Sequence, residues 1–233
     1  MNNWLRISHL VYPPRCILCG AAGDQRDLCT ACAADLPLNT DPCPICAIPL
    51  RLPGLPACGS CLLSPPPFQK TVAPLLYRYP VDALVRRFKF DGRLAVGRVL
   101  AELLADAVSE QPRPDFIVPV PLHRKRLIER GFDQAAELAR IVGRRLGVPV
   151  RRRVSRRIRP TVSQSTLSRI ERRVNLRRAF ACRGELEGRS IAVVDDVMTT
   201  GTTVTELANT LLRAGAETVD IWVCARAVDT RRL

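Results

Sequence analysis

A parallel α/β sheet with helices on both faces, preceded by a small metal-stabilised domain, is the fold class the sequence predicts. Three observations predict it. Eight of the 10 cysteines fall in the first 61 residues, as four Cys-x-x-Cys pairs. The run Ser64-Pro65-Pro66-Pro67 then breaks the chain. Beyond it, short apolar runs alternate with segments whose apolar residues recur at three and four residues. That alternation is the signature of strand–helix–strand units around a buried parallel sheet. The expected layout is a cysteine-rich domain with a short N-terminal helix over 1–63, a stiff Pro-rich linker over 64–69, and an α/β domain over 70–233.

The cysteine pairs come first in the chain. They are Cys16/Cys19, Cys29/Cys32, Cys43/Cys46 and Cys58/Cys61. Each can present two thiolates from one tight turn, and two pairs complete the tetrahedral Cys₄ shell that zinc prefers. Four pairs therefore make two closed structural zinc sites. Disulfides would need an oxidising compartment, and redox Cys-x-x-Cys motifs come singly beside a βαβ unit. Iron–sulfur ligation uses other spacings. Residues 14–61 are rich in Pro, Ala and Cys with no regular apolar period. Such a segment buries too little apolar area to offset its chain entropy, whereas structural zinc supplies about 10–16 kcal/mol per site. Sequential pairing gives Cys16/Cys19/Cys29/Cys32 and Cys43/Cys46/Cys58/Cys61; a cross-braced arrangement alternates the pairs. The Pro-rich join Leu36–Pro44 reads as a hinge between two small units and favours sequential pairing. Cys182 and Cys224 read as small core residues.

After the linker, Thr71–Tyr79 reads as a strand, Val81–Phe90 as a short helix and Leu94–Val108 as a helix with a long apolar face. Asp115–Val120 is a short buried strand. Phe132–Leu146 is a helix, with Ala135, Ala139, Val142 and Leu146 on one face. Val148–Val154 reads as a strand, as do Ser190–Val194 and Thr218–Ala225. Val204–Leu212 is a helix stopped by Gly215.

Composition narrows the function. Of the 233 residues, 47% are apolar and 25% charged, which suits a packed domain and excludes wholesale disorder. No apolar run approaches a membrane span. Met1–Val11, interrupted by Arg6 and His9, does not read as a secretory signal, so a cytoplasmic protein is expected. The formal charge of +14 is regional: Arg140–Arg183 holds 15 Arg against one acid, Glu171. That density of guanidinium is a footprint for phosphates, of a small ligand or of nucleic acid, or else a solvated basic face.

The most informative stretch is Ile191-Ala192-Val193-Val194-Asp195-Asp196-Val197-Met198-Thr199-Thr200-Gly201-Thr202-Thr203. A buried strand ends in two carboxylates, a short Thr/Gly loop follows, and a helix begins. Thr203 and Glu206 are spaced as a capping box. Amide groups and the helix dipole at such a point suit a phosphate, Gly201 permits close approach, and the Thr hydroxyls add donors. Adjacent carboxylates suit a vicinal diol. A sugar phosphate satisfies both halves. The Gly-Lys-Thr ending of a Walker A loop is absent.

This stretch resembles the PRPP-binding signature of type I phosphoribosyltransferases. The whole chain resembles the ComF competence-protein family, a double zinc ribbon followed by a type I phosphoribosyltransferase-like domain. Further stretches carry the likeness. They are Val118-Pro119-Val120-Pro121-Leu122-His123-Arg124 with Arg130-Gly131-Phe132-Asp133-Gln134, and Arg159-Pro160-Thr161-Val162-Ser163-Gln164 with Leu167. Arg172, Asn175 and Ala179-Phe180 follow. The resemblance implies that Asp195 and Asp196 hold the ribose hydroxyls and that Thr199, Thr200, Gly201, Thr202 and Thr203, with Val197 in the same segment, form the PRPP site. It implies Mg²⁺ bound with PRPP. His123, Arg124, Arg159 and Gln164 become the candidates for handling the departing pyrophosphate. Lys89 has two readings, a phosphate contact or an exposed helix-end lysine. Thr199 stands where purine salvage enzymes often carry a third acid, so no built-in general base is visible.

Two functions follow from the resemblance. One is the handling of single-stranded DNA during DNA uptake, with a helicase-like competence factor as partner and Arg151, Arg152, Arg153, Arg156 and Arg157 as the nucleic-acid contacts. The other is a catalytically active phosphoribosyltransferase acting on a nucleobase or another amine in nucleotide salvage.

Overall fold

The computed structural model describes residues 13–24, 26–52, 54–158 and 179–228. The expected N-terminal helix lies outside them. Among the described residues the elements run α1 (Thr30–Ala34), α2 (Gly59–Leu63), β1 (Thr71–Val72), β2 (Leu75–Leu76), α3 (Val81–Phe90), α4 (Leu94–Val108), β3 (Phe116–Pro119), α5 (Arg124–Arg130), α6 (Gln134–Leu146), β4 (Ser155–Arg157), β5 (Phe180–Cys182), β6 (Ser190–Met198), α7 (Thr202–Arg213) and β7 (Thr218–Arg226).

The sheet is parallel throughout, in the order β1–β7–β6–β3, with β2 also pairing β7. Side chains of successive residues leave opposite faces of a strand, and both faces of this sheet are apolar. Ile117, Ala192, Val194, Trp222 and Cys224 cluster with α3, α4 and α6. Phe116, Val118, Ile191, Val193, Ile221 and Val223 cluster with α7 and with Phe180 and Leu186. The expected α/β sandwich is therefore present.

Local chemistry explains the helix ends. Asp133 caps α6 by accepting from the Ala136 amide at 3.0 Å, and Gly147 closes it in the left-handed region at φ 68°. Three expected strands change. Thr71–Tyr79 is split into β1 and β2 around Ala73-Pro74, because proline has no N–H to give the ladder. Val148–Val154 shrinks to one bridge, Val150 to Ile117, since Pro149 lacks a donor and Arg151–Arg153 turn out to solvent. Ser190–Val194 extends four residues further, to Met198.

The cysteine-rich segment is docked rather than appended. Its first half, through Cys16, Leu28 and Leu36, joins the cluster of α3 and α4. Its second half, through Ile45, Cys46 and Ala47, joins the cluster on the other face. The join between them is no free hinge. Leu38 bridges Leu75, the Leu76 amide donates to Pro37 O at 2.8 Å, and the Asn39 amide donates to Pro74 O at 2.9 Å. This covers the short edge strands, whose unpaired backbone groups would otherwise face water. Asp106 of α4 adds ion pairs to Arg26 at 2.8 Å and to Arg145 at 2.9 Å, tying ribbon, α4 and α6 together. Cys224 is fully buried as expected, whereas Cys182 is half-buried.

Gly143 allows α6 to lie against the 148–150 return. A Cβ there would stand 2.6 Å from Val150 Cγ2 and 2.7 Å from Val148 O. Gly143→Ala should therefore destabilise the protein by about 1–3 kcal/mol. Thermal unfolding followed by circular dichroism should show a midpoint lowered by about 2–4 °C per kcal/mol; an unchanged midpoint would mean that the return yields freely.

Candidate functional site

The site grows from the carboxyl end of β6. Parallel pairing sets Asp195 beside Val223 and Met198 beside Arg226. Asp196 is buried and Asp195 half-buried. Each carboxylate accepts from the next amide: Asp195 Oδ1 from Asp196 N at 2.9 Å, and Asp196 Oδ1 from Val197 N at 2.6 Å. Lys89, in the last turn of α3, places Nζ 2.8 Å from Asp196 Oδ2. It is thus a site residue and not an exposed helix end.

The electrostatics follow from this packing. Burial, then the neighbouring Asp196 charge, pushes the Asp195 carboxyl up to about 7, against the pull of Lys89. Burial would lower the Lys89 ammonium, but the Asp196 and Asp195 carboxylates overcome it and hold its pKa above the ordinary value.

The loop after β6 turns at Gly201, which has φ 78° and is the N-cap of α7. A side chain there would be doubly disfavoured, because its Cβ would also meet Met198 Cε at 2.7 Å. The capping box expected from Thr203 and Glu206 does not form, since Thr203 already lies in the first turn and the cap has no side-chain bond. Thr200 and Thr202 instead join their hydroxyls at 2.8 Å. The amino end of a 12-residue helix, with its dipole, opens on the same space.

That space is a cavity of about 210 Å³. Asp195, Asp196, Val197, Thr199, Gly201, Thr202 and Thr203 line it. Thr200 touches it through Thr202. Arg157 also lines it, apart from Arg151, Arg152, Arg153 and Arg156, which are exposed. His123 and Arg124 stand off the cavity wall at the start of α5, where His123 O accepts from the Leu127 amide at 3.1 Å. Arg159, Thr161 and Gln164 lie outside the described residues. Arg130 and Gln134, which the sequence offers only as part of the stretch Arg130-Gly131-Phe132-Asp133-Gln134, line the cavity from α5 and the start of α6, and so does Arg126 of α5, which sequence reasoning passes over. A signal for the arginines exists: Arg126 and Arg130 are four apart and share a helix face. Arg130 donates to Gln134 Oε1 at 3.1 Å and its guanidinium lies 5.2 Å over the Phe90 ring.

The cysteines gather into two groups: Cys16, Cys19, Cys29 and Cys32, and Cys43, Cys46, Cys58 and Cys61. The pairing is sequential. Within each group all Sγ atoms lie within 4.8 Å of one another. Tetrahedral zinc with Zn–S bonds of about 2.3 Å needs sulfurs about 3.8 Å apart. Cys19 Sγ and Cys29 Sγ are 3.7 Å apart, and Cys46 Sγ and Cys58 Sγ are 3.6 Å apart. Backbone amides are aimed at the sulfurs. Burial disfavours the Cys16 thiolate, but the amides of Cys19, Cys29 and Leu18 hold its pKa down to about 6. Both groups fit structural zinc. Among the described residues no helix is long and apolar enough to cross a membrane.

Known proteins share both halves. The double zinc ribbon domain family matches residues 7–62, and the phosphoribosyl transferase domain family matches residues 94–232. The DNA utilization protein YhgH of Salmonella typhi is 37% identical over 227 residues, 94% of this chain and 100% of that one. Competence protein F of Haemophilus influenzae is 37% identical over 179 residues, 73% of this chain and 78% of that one. The glutamine phosphoribosylpyrophosphate amidotransferase of B. subtilis superposes on 55% of this chain and 26% of its own, with 23% identity and a TM-score of 0.39.

Elemental analysis of the purified chain should give two zincs. Cys19→Ser combined with Cys29→Ser should leave one, because both belong to one group; a cross-braced pairing would lose both.

Proposed function

The chain belongs to the ComF competence-protein family, a double zinc ribbon joined to a phosphoribosyltransferase domain, and on that premise we propose that it binds Mg-PRPP at the end of β6 and handles single-stranded DNA in the cytoplasm. One observation carries the first part. A cavity walled by two carboxylates on one strand also gathers Lys89, Arg126, Arg130 and Arg157 beside a helix amino end. Carboxylates alone would repel a polyphosphate, and cations alone would not need a diol.

In this reading the ribose 2′ and 3′ hydroxyls donate to Asp195 and Asp196. The 5′-phosphate accepts from the Thr199–Thr203 segment and the first amides of α7. Arg126, Arg130 and Arg157 face the pyrophosphate, and Gln134 positions Arg130. Lys89, 2.8 Å from Asp196 Oδ2, holds that carboxylate in place as an acceptor. Magnesium would arrive on the substrate oxygens, where it neutralises pyrophosphate charge, and so needs no carboxylate cage of its own.

The DNA part rests on the relatives named for DNA utilization and competence, and on the exposed Arg151, Arg152, Arg153 and Arg156. Backbone phosphates are the natural partners of such a patch. A helicase-like competence factor would supply the motor. The second reading, transfer of ribose phosphate to a nucleobase or amine, is favoured by the cluster of three arginines suited to a leaving pyrophosphate. Assay of pyrophosphate release with a panel of acceptors separates the two.

Asp195→Ala with Asp196→Ala should abolish Mg-PRPP binding measured by calorimetry; retained affinity would move the diol elsewhere. The pH dependence has a definite sign. Asp195 must be ionised to accept two donors, so affinity should fall by up to about tenfold per unit below pH 7 and level off above it. Asp195→Asn should remove that inflection and leave the one near about pH 6 from the ligand's phosphate. For DNA, changing Arg151, Arg152, Arg153 and Arg156 to Ser should weaken oligonucleotide binding. The log–log salt slope should shallow by about 0.7 for each phosphate no longer neutralised; an unchanged slope would exclude the patch.

A further inference from the structure

Arg226, the last residue of β7, is buried, with 6% of its surface exposed. Its Nε donates to Cys46 O at 2.8 Å. Its Nη1 donates to Met198 O at 2.9 Å, to Ala227 O at 2.7 Å and to Thr199 O. Cys46 is a ligand of the second cysteine group, and Met198 and Thr199 begin the phosphate loop. One planar guanidinium therefore spans the zinc knuckle and the loop. Such a fork holds several acceptors in a fixed mutual geometry, which a lysine cannot do.

The rest of the knuckle faces the same way. Pro44 O accepts from the Thr71 amide at 3.2 Å, Ile45 O from Thr71 Oγ1 at 2.7 Å, and Ala47 O from Asn39 Nδ2 at 2.9 Å. Three successive carbonyls, of Pro44, Ile45 and Cys46, thus accept from the α/β domain, and the fourth, of Ala47, accepts from Asn39, whose amide nitrogen also donates to Ala73 O at 3.1 Å. The amides point back at sulfur: those of Cys58, Cys46 and Ile45 pull the Cys43 thiol pKa down against the effect of burial. Metal binding orients the knuckle, and the knuckle orients Arg226. Four thiolates on a divalent ion also carry a net −2, a counter-charge for a buried guanidinium that has carbonyls on its other side.

We infer that Arg226 is a positioning residue that couples the second zinc site to the phosphate loop, so that metal at Cys43/Cys46/Cys58/Cys61 and ligand at Thr199–Thr203 stabilise each other. The ligand half rests on the Mg-PRPP reading above; the loop-ordering half does not. The first zinc site packs on the opposite face of the sheet and is outside this coupling. Linkage makes the effect reciprocal, in the range of about 5- to 150-fold for coupled sites.

The test uses the full chain. Hydrogen exchange of the 196–204 amides is compared in the wild type, Arg226→Lys, Cys58→Ser and Cys29→Ser, with zinc content measured in each. Exchange in the loop should quicken about 5- to 150-fold in Arg226→Lys, which keeps both zincs, and in Cys58→Ser, but not in Cys29→Ser. Unchanged loop exchange in Arg226→Lys, or equal quickening in Cys29→Ser, overturns the coupling. Should Cys58→Ser fail to fold, Arg226→Lys decides. In a second arm, Mg-PRPP should slow transfer of one zinc to a chelator by a similar factor and leave the other untouched, and Arg226→Lys should cancel the protection. Failure of Mg-PRPP to bind the wild type sinks the proposed function and leaves the loop result standing; binding without selective protection sinks the coupling alone.

Discussion

The parallel pairing of β6 with β7 is the contact on which the rest of the molecule depends. Both strands are nine residues long, more than twice the length of β3. Their shared carboxyl end carries the two aspartates on one strand and Arg226 on the other. A slip of one residue would turn every side chain to the opposite face. It would put Val194 where Asp195 stands and take Arg226 out of level with Met198. The apolar alternation on both faces prevents this: Val193, Ile221 and Val223 belong to one cluster, Val194, Trp222 and Cys224 to the other. Register is set by burial, and the site inherits its geometry from it.

The metal-binding segment depends on that sheet in turn. It is wrapped around the β1/β2 edge, with one cysteine group on each face. Zinc orders each knuckle locally, and the sheet decides where the knuckles sit. The short edge strands are too small to protect themselves, so the join at Pro37–Asn39 serves as their cover.

Much of this is legible in the sequence, and the exceptions have physical reasons. The bounds of α3 and α4 can be read from period alone, because a long apolar face leaves little choice of register. The cysteine pairing can be read from the Pro-rich join, although what that join does cannot, since edge cover depends on a strand more than 30 residues further along the chain. The aspartates and threonines announce themselves as a motif. Arg126 and Arg157 do not announce a place in the cavity, because an arginine in a basic chain looks the same whether it faces solvent or a cavity. Arg226 is invisible for a deeper reason. Its partners are main-chain carbonyls, which every residue possesses, and its ribbon acceptor is 180 positions away.

That separation bears on how the chain comes into being. The cysteine groups are local, each closed within a short stretch of chain, and can take up metal soon after they leave the ribosome. Their docking surface is complete only when β7, the last strand described, has been made. A chain that has not yet reached β7 therefore has a second knuckle whose Cys46 carbonyl lacks the guanidinium that receives it in the finished fold. The architecture places the loop after β6 under a late checkpoint: until β7 closes against β6, the cysteine groups can be complete while the cavity is not.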